Sequence, residues 1–112
     1  MTTPYQRGRS KEYKTMNILR SDGWVCSRSA MSHGPVDVFA AKDQRVLLIQ
    51  VKSGKGRMTK TEREKFADWG KAFGAATEIW HFNKKKGLRR IIVNESESPP
   101  EVWYNGRALN AK

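Results

Sequence analysis

The chain has 112 residues, with 22 Lys and Arg against 11 Asp and Glu, a formal charge of +11. That length holds one domain and excludes two folded units joined by a linker. A hydrophobic share of 38%, with four Trp, four Phe and three Tyr, excludes disorder along the whole chain. A charge this far from zero calls for a polyanionic partner, nucleic acid ahead of a membrane surface.

The longest apolar run, Val46-Leu47-Leu48-Ile49, has four residues. A bilayer span needs roughly 18, so no membrane partner is expected. Met1 to Arg7 lacks the apolar stretch of a signal peptide. Cys26 is the one cysteine and cannot form an internal disulfide. A reducing, cytoplasmic setting is expected, and a phage protein inside its host would fit it. Cys26 itself reads as a small core residue.

Residues 1–9 are basic and polar and read as a flexible arm. Ser10 reads as the N-cap of a helix that runs to about Ser21 and stops before Gly23. Glu12, Met16 and Leu19 lie at helical spacing and share one face, which puts a carboxylate on the core-facing edge. Trp24 to Arg28 reads as a strand. Val36–Ala41 and Arg45–Lys52 read as two more, joined by a short polar loop. Ser53 to Arg57 is a basic loop. Thr59 or Thr61 can cap a second helix, and Thr61 to Glu64 fits a capping box. Phe66, Trp69 and Phe73 are spaced for a buried stripe on it, and Gly74 ends it. Glu78–Phe82 and Leu88–Val93 read as strands around a Lys84-Lys85-Lys86 turn. Residues 95–112 form an extension, in which Val102-Trp103-Tyr104 reads as a last strand or a docking segment. The order α-β-β-β-α-β-β is an α/β architecture: a central mixed sheet flanked by helices, in one domain spanning 1–112.

An even-length loop centred on Asp43-Gln44 sets the hairpin register. Lys42 then faces Arg45, Ala40 faces Leu47, and Asp37 faces Gln50. Alternation puts Asp37, Phe39, Leu48, Gln50 and Lys52 on one face, and Val36, Val38, Ala40, Leu47, Ile49 and Val51 on the other. The polar face gathers an acid, an amide and a lysine in otherwise apolar strands. Burying them costs energy unless they pair or hold a metal. Asp37 and Gln50 offer hard oxygens suited to Mg²⁺, with Glu12 and the Val51 carbonyl as further ligands. Lys52 can orient a water or stabilise charge on a phosphate. A structural Asp37–Lys52 ion pair is an equal reading of the spacing.

Pro35-Val36-Asp37, twelve intervening residues, then Gln50-Val51-Lys52-Ser53 resembles the PD-(D/E)XK nuclease signature. Arg7-Gly8-Arg9-Ser10-Lys11-Glu12, Gly23-Trp24 and Arg28-Ser29-Ala30-Met31-Ser32 extend the likeness to archaeal-type Holliday junction resolvases, over about residues 5–82. The resemblance implies a restriction-endonuclease-like fold and a homodimer. It implies an enzyme that cuts DNA four-way junctions by paired phosphodiester hydrolysis with Mg²⁺, for which Mn²⁺ can substitute. It makes Glu12, Asp37 and Gln50 metal ligands, Lys52 the catalytic lysine and Ser32 an aid to cleavage. Gln50 departs from the family's usual Glu, which removes one negative charge from the metal shell. Two other readings are a related nuclease acting on duplex or nicked DNA, and a non-catalytic nucleic-acid-binding module.

Arg7, Arg9, Lys11, Lys14, Arg28, Lys55, Arg57 and Lys60 flank this cluster in sequence and are expected to bind DNA phosphates. Lys84 to Lys86 read as a solvated turn. The GxxxxGK[ST] spacing is absent, so no nucleotide triphosphate is expected. His33 and His81 have no zinc-spaced partners.

Overall fold

Alternating apolar residues build a sheet, and two amphipathic helices close its faces. The computed structural model describes residues 4–29, 34–93 and 101–104, with side chains at 9–29 and 34–93. The elements are α1 (Pro4–Ser21), β1 (Val25–Arg28), β2 (Val38–Lys42), β3 (Arg45–Ser53), α2 (Lys60–Phe73), β4 (Ala76–Asn83), β5 (Gly87–Val93) and β6 (Glu101–Tyr104). The six strands lie side by side in chain order. Neighbours are antiparallel except β3 and β4, which run parallel across the α2 crossover. This is the expected mixed α/β sheet, with Val102 to Tyr104 paired as part of β6. No helix among the described residues is long and apolar enough to cross a membrane.

The first helix starts earlier than expected. Ser10 lies inside α1, which begins at Pro4, so Ser10 is not its N-cap and residues 4–9 are helical. Proline suits a first helical turn, where its missing N–H has no partner to lose. Met16 and Leu19 of α1 are buried against Trp24, Val38, Ala40, Leu47 and Ile49. Cys26 packs on the same cluster, and burial pushes its thiol pKa up, away from a reactive thiolate.

Phe66 of α2 packs on the opposite face with Leu48, Ile79 and Val93. Leu48 and Ile49 are adjacent in β3 and serve different cores, so the two helices cover opposite sides of the sheet. Truncating a fully buried phenylalanine such as Phe66 costs about 3–5 kcal/mol. The expected buried stripe of α2 is only partly buried: Trp69 is 38% and Phe73 49% exposed. The reason is Gly70. A Cβ there would lie 2.6 Å from Thr77 Cγ2, so the helix presses this edge onto β4 and turns its aromatics outward. Trp69 stacks on Phe73 at 5.8 Å, and Phe39 meets Phe73 at 6.0 Å.

Thr59, not Thr61, caps α2. Its Oγ1 accepts from the Glu62 N–H, and the Glu62 carboxylate accepts from the Thr59 N–H. Gly74 closes the helix in the left-handed conformation at φ 62°, as its position predicts.

The β2–β3 hairpin keeps the expected register from Lys42–Arg45 to Val38–Ile49. Asp43 and Gln44 both adopt positive φ, 52° and 66°, which matches the strand twist. The register then breaks. The Asp37 N–H donates to the Ile49 carbonyl at 2.8 Å, so Asp37 does not pair with Gln50 as expected. The irregularity also reverses Val36, which packs with Leu48 and Phe66 and not beside Val38 and Ala40.

Across β4 and β5, Arg90 grips Glu78 with two hydrogen bonds of 2.7 Å. The Trp80 indole N–H donates to the same carboxylate at 3.0 Å. All three residues are buried.

Candidate active site

The register break at Asp37 shapes the site. Asp37 is 6% exposed, and its Oδ2 accepts a 2.8 Å hydrogen bond from the Val51 N–H. The carboxylate thus takes over a link between β2 and β3 where the backbone ladder ends. The Asp37 carbonyl accepts from the Ser29 N–H at 2.9 Å, which ties it to the chain leaving β1 as well. A buried acid held at three points is a preorganised ligand.

Glu12 stands on α1 one turn before the buried Met16, half-buried as its helical spacing predicts. Arg28 at the end of β1 donates to Glu12 Oε1 at 3.1 Å. The Arg28 guanidinium also lies 5.1 Å from the centre of the Tyr13 ring. Burial pushes the Glu12 pKa up, the Arg28 hydrogen bond opposes this, and the negative charge of Asp37 adds to the rise. The two carboxylates therefore sit within electrostatic reach of each other.

Gln50 is half-buried on β3, on the α2 side with Leu48 by strand alternation. Lys52 follows two residues on. Its aliphatic stem passes 3.6 Å from where a Gly56 Cβ would stand, and its charge helps hold the Glu62 carboxyl down. Parallel pairing sets Lys52 beside His81 of β4.

Two nearby carboxylates repel unless a cation joins them, and an amide oxygen can complete such a shell. Hard oxygens fit Mg²⁺ or Mn²⁺. Glu12, Asp37 and Gln50 have the donor chemistry for that ion. No group of three His, Cys, Asp or Glu side chains suited to a metal occurs among the described residues, consistent with an amide at position 50. The Val51 N–H is committed to Asp37. Ser32 and His33 lie outside the described residues.

The expected phosphate-binding residues divide by location. The ammonium groups of Lys11 and Lys14 lie 5.7 and 5.6 Å from the centre of the Phe82 ring. Arg9 reaches Tyr13 at 5.9 Å. Arg28 is half-buried and engaged with Glu12. Lys60 opens α2 and is exposed. Arg7 lies on α1, and its side chain is outside the described ones. Lys55 and Arg57 line a cavity of about 470 Å³ with Gly54, His81, Asn83, Lys86 and Arg89.

Sequence reading missed His81 and Arg89 in this cavity. The strand pairing that sets His81 opposite Arg89 follows from the β4–β5 hairpin, whose register was open to the same arithmetic as β2–β3.

The chain matches the family described as archaeal Holliday junction resolvase (Hjc) over residues 3–98. No curated protein matches it. Among solved structures it is similar to the Hjc resolvase of the archaeal hyperthermophile Archaeoglobus fulgidus, with a TM-score of 0.67 and 22% identity over 86% of this chain and 88% of that one. This likeness shows the restriction-endonuclease-like fold. A protein of unknown function aligns at a TM-score of 0.45 and 16% identity, over 78% of this chain and 48% of its own. With 96 of its residues matched and the element order in agreement, the chain belongs to the archaeal Holliday junction resolvase family.

Proposed function

We propose that this chain is a metal-dependent, structure-selective DNA endonuclease that resolves four-way junctions by paired phosphodiester hydrolysis. The observation that carries the reading is the family match over residues 3–98 together with the electrostatic pairing of Glu12 and Asp37 beside β3. A divalent cation held there would neutralise phosphate charge and help activate water near neutral pH. Asp37, Glu12 and Gln50 would hold it, together with the Val51 carbonyl. The Val51 N–H and Arg28 fix the two carboxylates before metal arrives, so little reorganisation is left for binding. Lys52 presents its ammonium to the phosphate and stabilises the charge that builds there. Ser32 precedes Pro35 and Asp37 in the sequence and assists cleavage. Arg7, Arg9, Lys11, Lys14, Lys55, Arg57 and Lys60 bind backbone phosphates around the cut.

Paired cuts in a symmetric junction need two sites, so the working form is a C₂ homodimer. The exposed Trp69–Phe73 stack with Phe39 is the apolar surface suited to that contact.

The test is cleavage of a synthetic four-way junction beside a matched linear duplex, with Mg²⁺, Mn²⁺ or EDTA. Paired symmetric nicks in the junction alone, lost in EDTA and in Lys52→Ala, support the reading. Cutting of the duplex instead assigns a different nuclease specificity. Gln50 favours a second reading, a binding module without chemistry, and tight junction binding with no cutting in any metal would establish it.

A further inference from the structure

The cavity beside Lys52 has a lining with one chemical sign. Lys55, Arg57, Lys86 and Arg89 contribute cationic donors, and among the described residues no carboxylate lines it. Its remaining polar side chains have their acceptor atoms already used. A carbonyl only accepts, so the 2.7 Å contact between His81 Nε2 and the Gly54 oxygen makes Nε2 the donor. His81 Nδ1 then accepts from Arg89 Nη2 at 3.2 Å. Asn83 Oδ1 accepts from the N–H groups of Lys85 and Lys86, at 2.9 and 3.0 Å. Among the described residues, the side chains of these walls therefore offer a ligand donors.

The same bonds make the cavity rigid. His81 staples the Gly54 loop to β4, Arg89 braces His81 from β5, and Asn83 fixes the turn that carries Lys86. A set of like charges held together on fixed supports costs energy in the free protein. An anion rich in acceptor oxygens relieves it, and a phosphate is such an anion.

We propose that the cavity formed by Gly54, Lys55, Arg57, His81, Lys86 and Arg89 binds a non-scissile backbone phosphate of the DNA. This rests on the nuclease reading above and adds a second anchoring point to it. Lys52 and His81 are register neighbours on parallel strands, which places this phosphate on the nucleotides flanking the cut. The cavity thereby sets how the strand enters the site. It also divides the lysine turn: Lys86 lines the cavity, whereas Lys84 and Lys85 do not.

The turn provides its own control. Binding of a junction and of a linear duplex is measured by fluorescence anisotropy in EDTA, over a series of salt concentrations. Lys86→Gln should lower the salt slope by about 0.9 and weaken binding to both DNAs about eightfold at 0.1 M salt. Lys85→Gln should match the unaltered protein. Equal effects of the two substitutions, or none from Lys86→Gln, overturn the proposal. In a second arm, side-chain nitrogen resonances of His81 and Arg89 are followed by NMR during addition of duplex DNA or of inorganic phosphate. Shifts with DNA support a backbone phosphate. Shifts with inorganic phosphate but not with DNA overturn it in favour of a free-anion site. Neither arm requires cleavage, so failure of the nuclease reading is visible separately, in the Mg²⁺ assay.

Discussion

The carboxylate of Asp37 accepts a 2.8 Å hydrogen bond from the backbone N–H of Val51. One acid therefore makes a structural bond to β3 and, under the proposed function, would also ligate the metal. The duties separate by substitution. Asp37→Asn keeps an acceptor for Val51 and removes the charge. It should melt within about 1 kcal/mol of the unaltered protein and fail to cut a junction in Mg²⁺. Asp37→Ala leaves the Val51 N–H without its partner and should cost a further 1–3 kcal/mol, roughly, in denaturant unfolding. Cleavage by Asp37→Asn at the unaltered rate would remove Asp37 from the metal shell.

Gln50 supplies an oxygen without a charge. Gln50→Glu places a third carboxylate at the site and strengthens its hold on a divalent cation. The Mg²⁺ concentration for half-maximal cleavage should fall about tenfold, equivalent to about 1.4 kcal/mol. In the metal-free protein the same change puts a carboxylate at a half-buried position with no cation to offset it, so thermal stability in EDTA should drop and recover with Mg²⁺.

The cap of α2 makes acid sensitivity readable. The Thr59 N–H, followed by the nearby charge of Lys52, holds the Glu62 carboxyl below its ordinary 4.5. A depressed carboxylate contributes stability above its unfolded value, and that stability goes as pH falls through the folded value. Unfolding curves should therefore weaken below pH ~4.5, and Glu62→Gln should flatten this part of the profile. Thr59→Ala should cost about 1 kcal/mol at neutral pH.

Glu78 and Arg90 form a buried pair with matched geometry, 2.7 Å at both contacts. Removing one partner strands a buried charge. Glu78→Gln and Arg90→Met should each destabilise by about 3–5 kcal/mol in urea unfolding. The double substitution should recover most of that loss, because no buried charge is then left without its partner.

The parts of this fold legible in the sequence are those set by local rules. An even, polar two-residue turn determined the β2–β3 register, and the pairing from Lys42 to Val38 follows it. Helical spacing put Glu12 on the same edge as Met16 and Leu19. Asp37 escaped the same arithmetic because a side-chain bond to Val51 replaced a backbone pair, which no alternation pattern encodes. The start of α1 was hidden by Ser10, a good cap residue that sits mid-helix. Trp69 and Phe73 kept their helical spacing but lost their burial to Gly70, whose close approach to Thr77 depends on tertiary packing. The cavity at His81 needs the parallel β3–β4 register, which is set only when α2 docks.

That parallel pairing has a consequence for assembly. Every other strand pair joins chain neighbours through a short connection, so β1–β3 and β4–β6 are meanders that close small loops. The β3–β4 seam alone must await the crossover helix, and non-local pairings of this kind are the slow ones. Glu12, Asp37, Gln50 and Lys52 all belong to the first half, while His81, Asn83, Lys86 and Arg89 belong to the second. Under the proposed function, that seam separates the four residues of the cutting site from His81, Lys86 and Arg89, while Lys55 and Arg57 lie on the connection that must cross it.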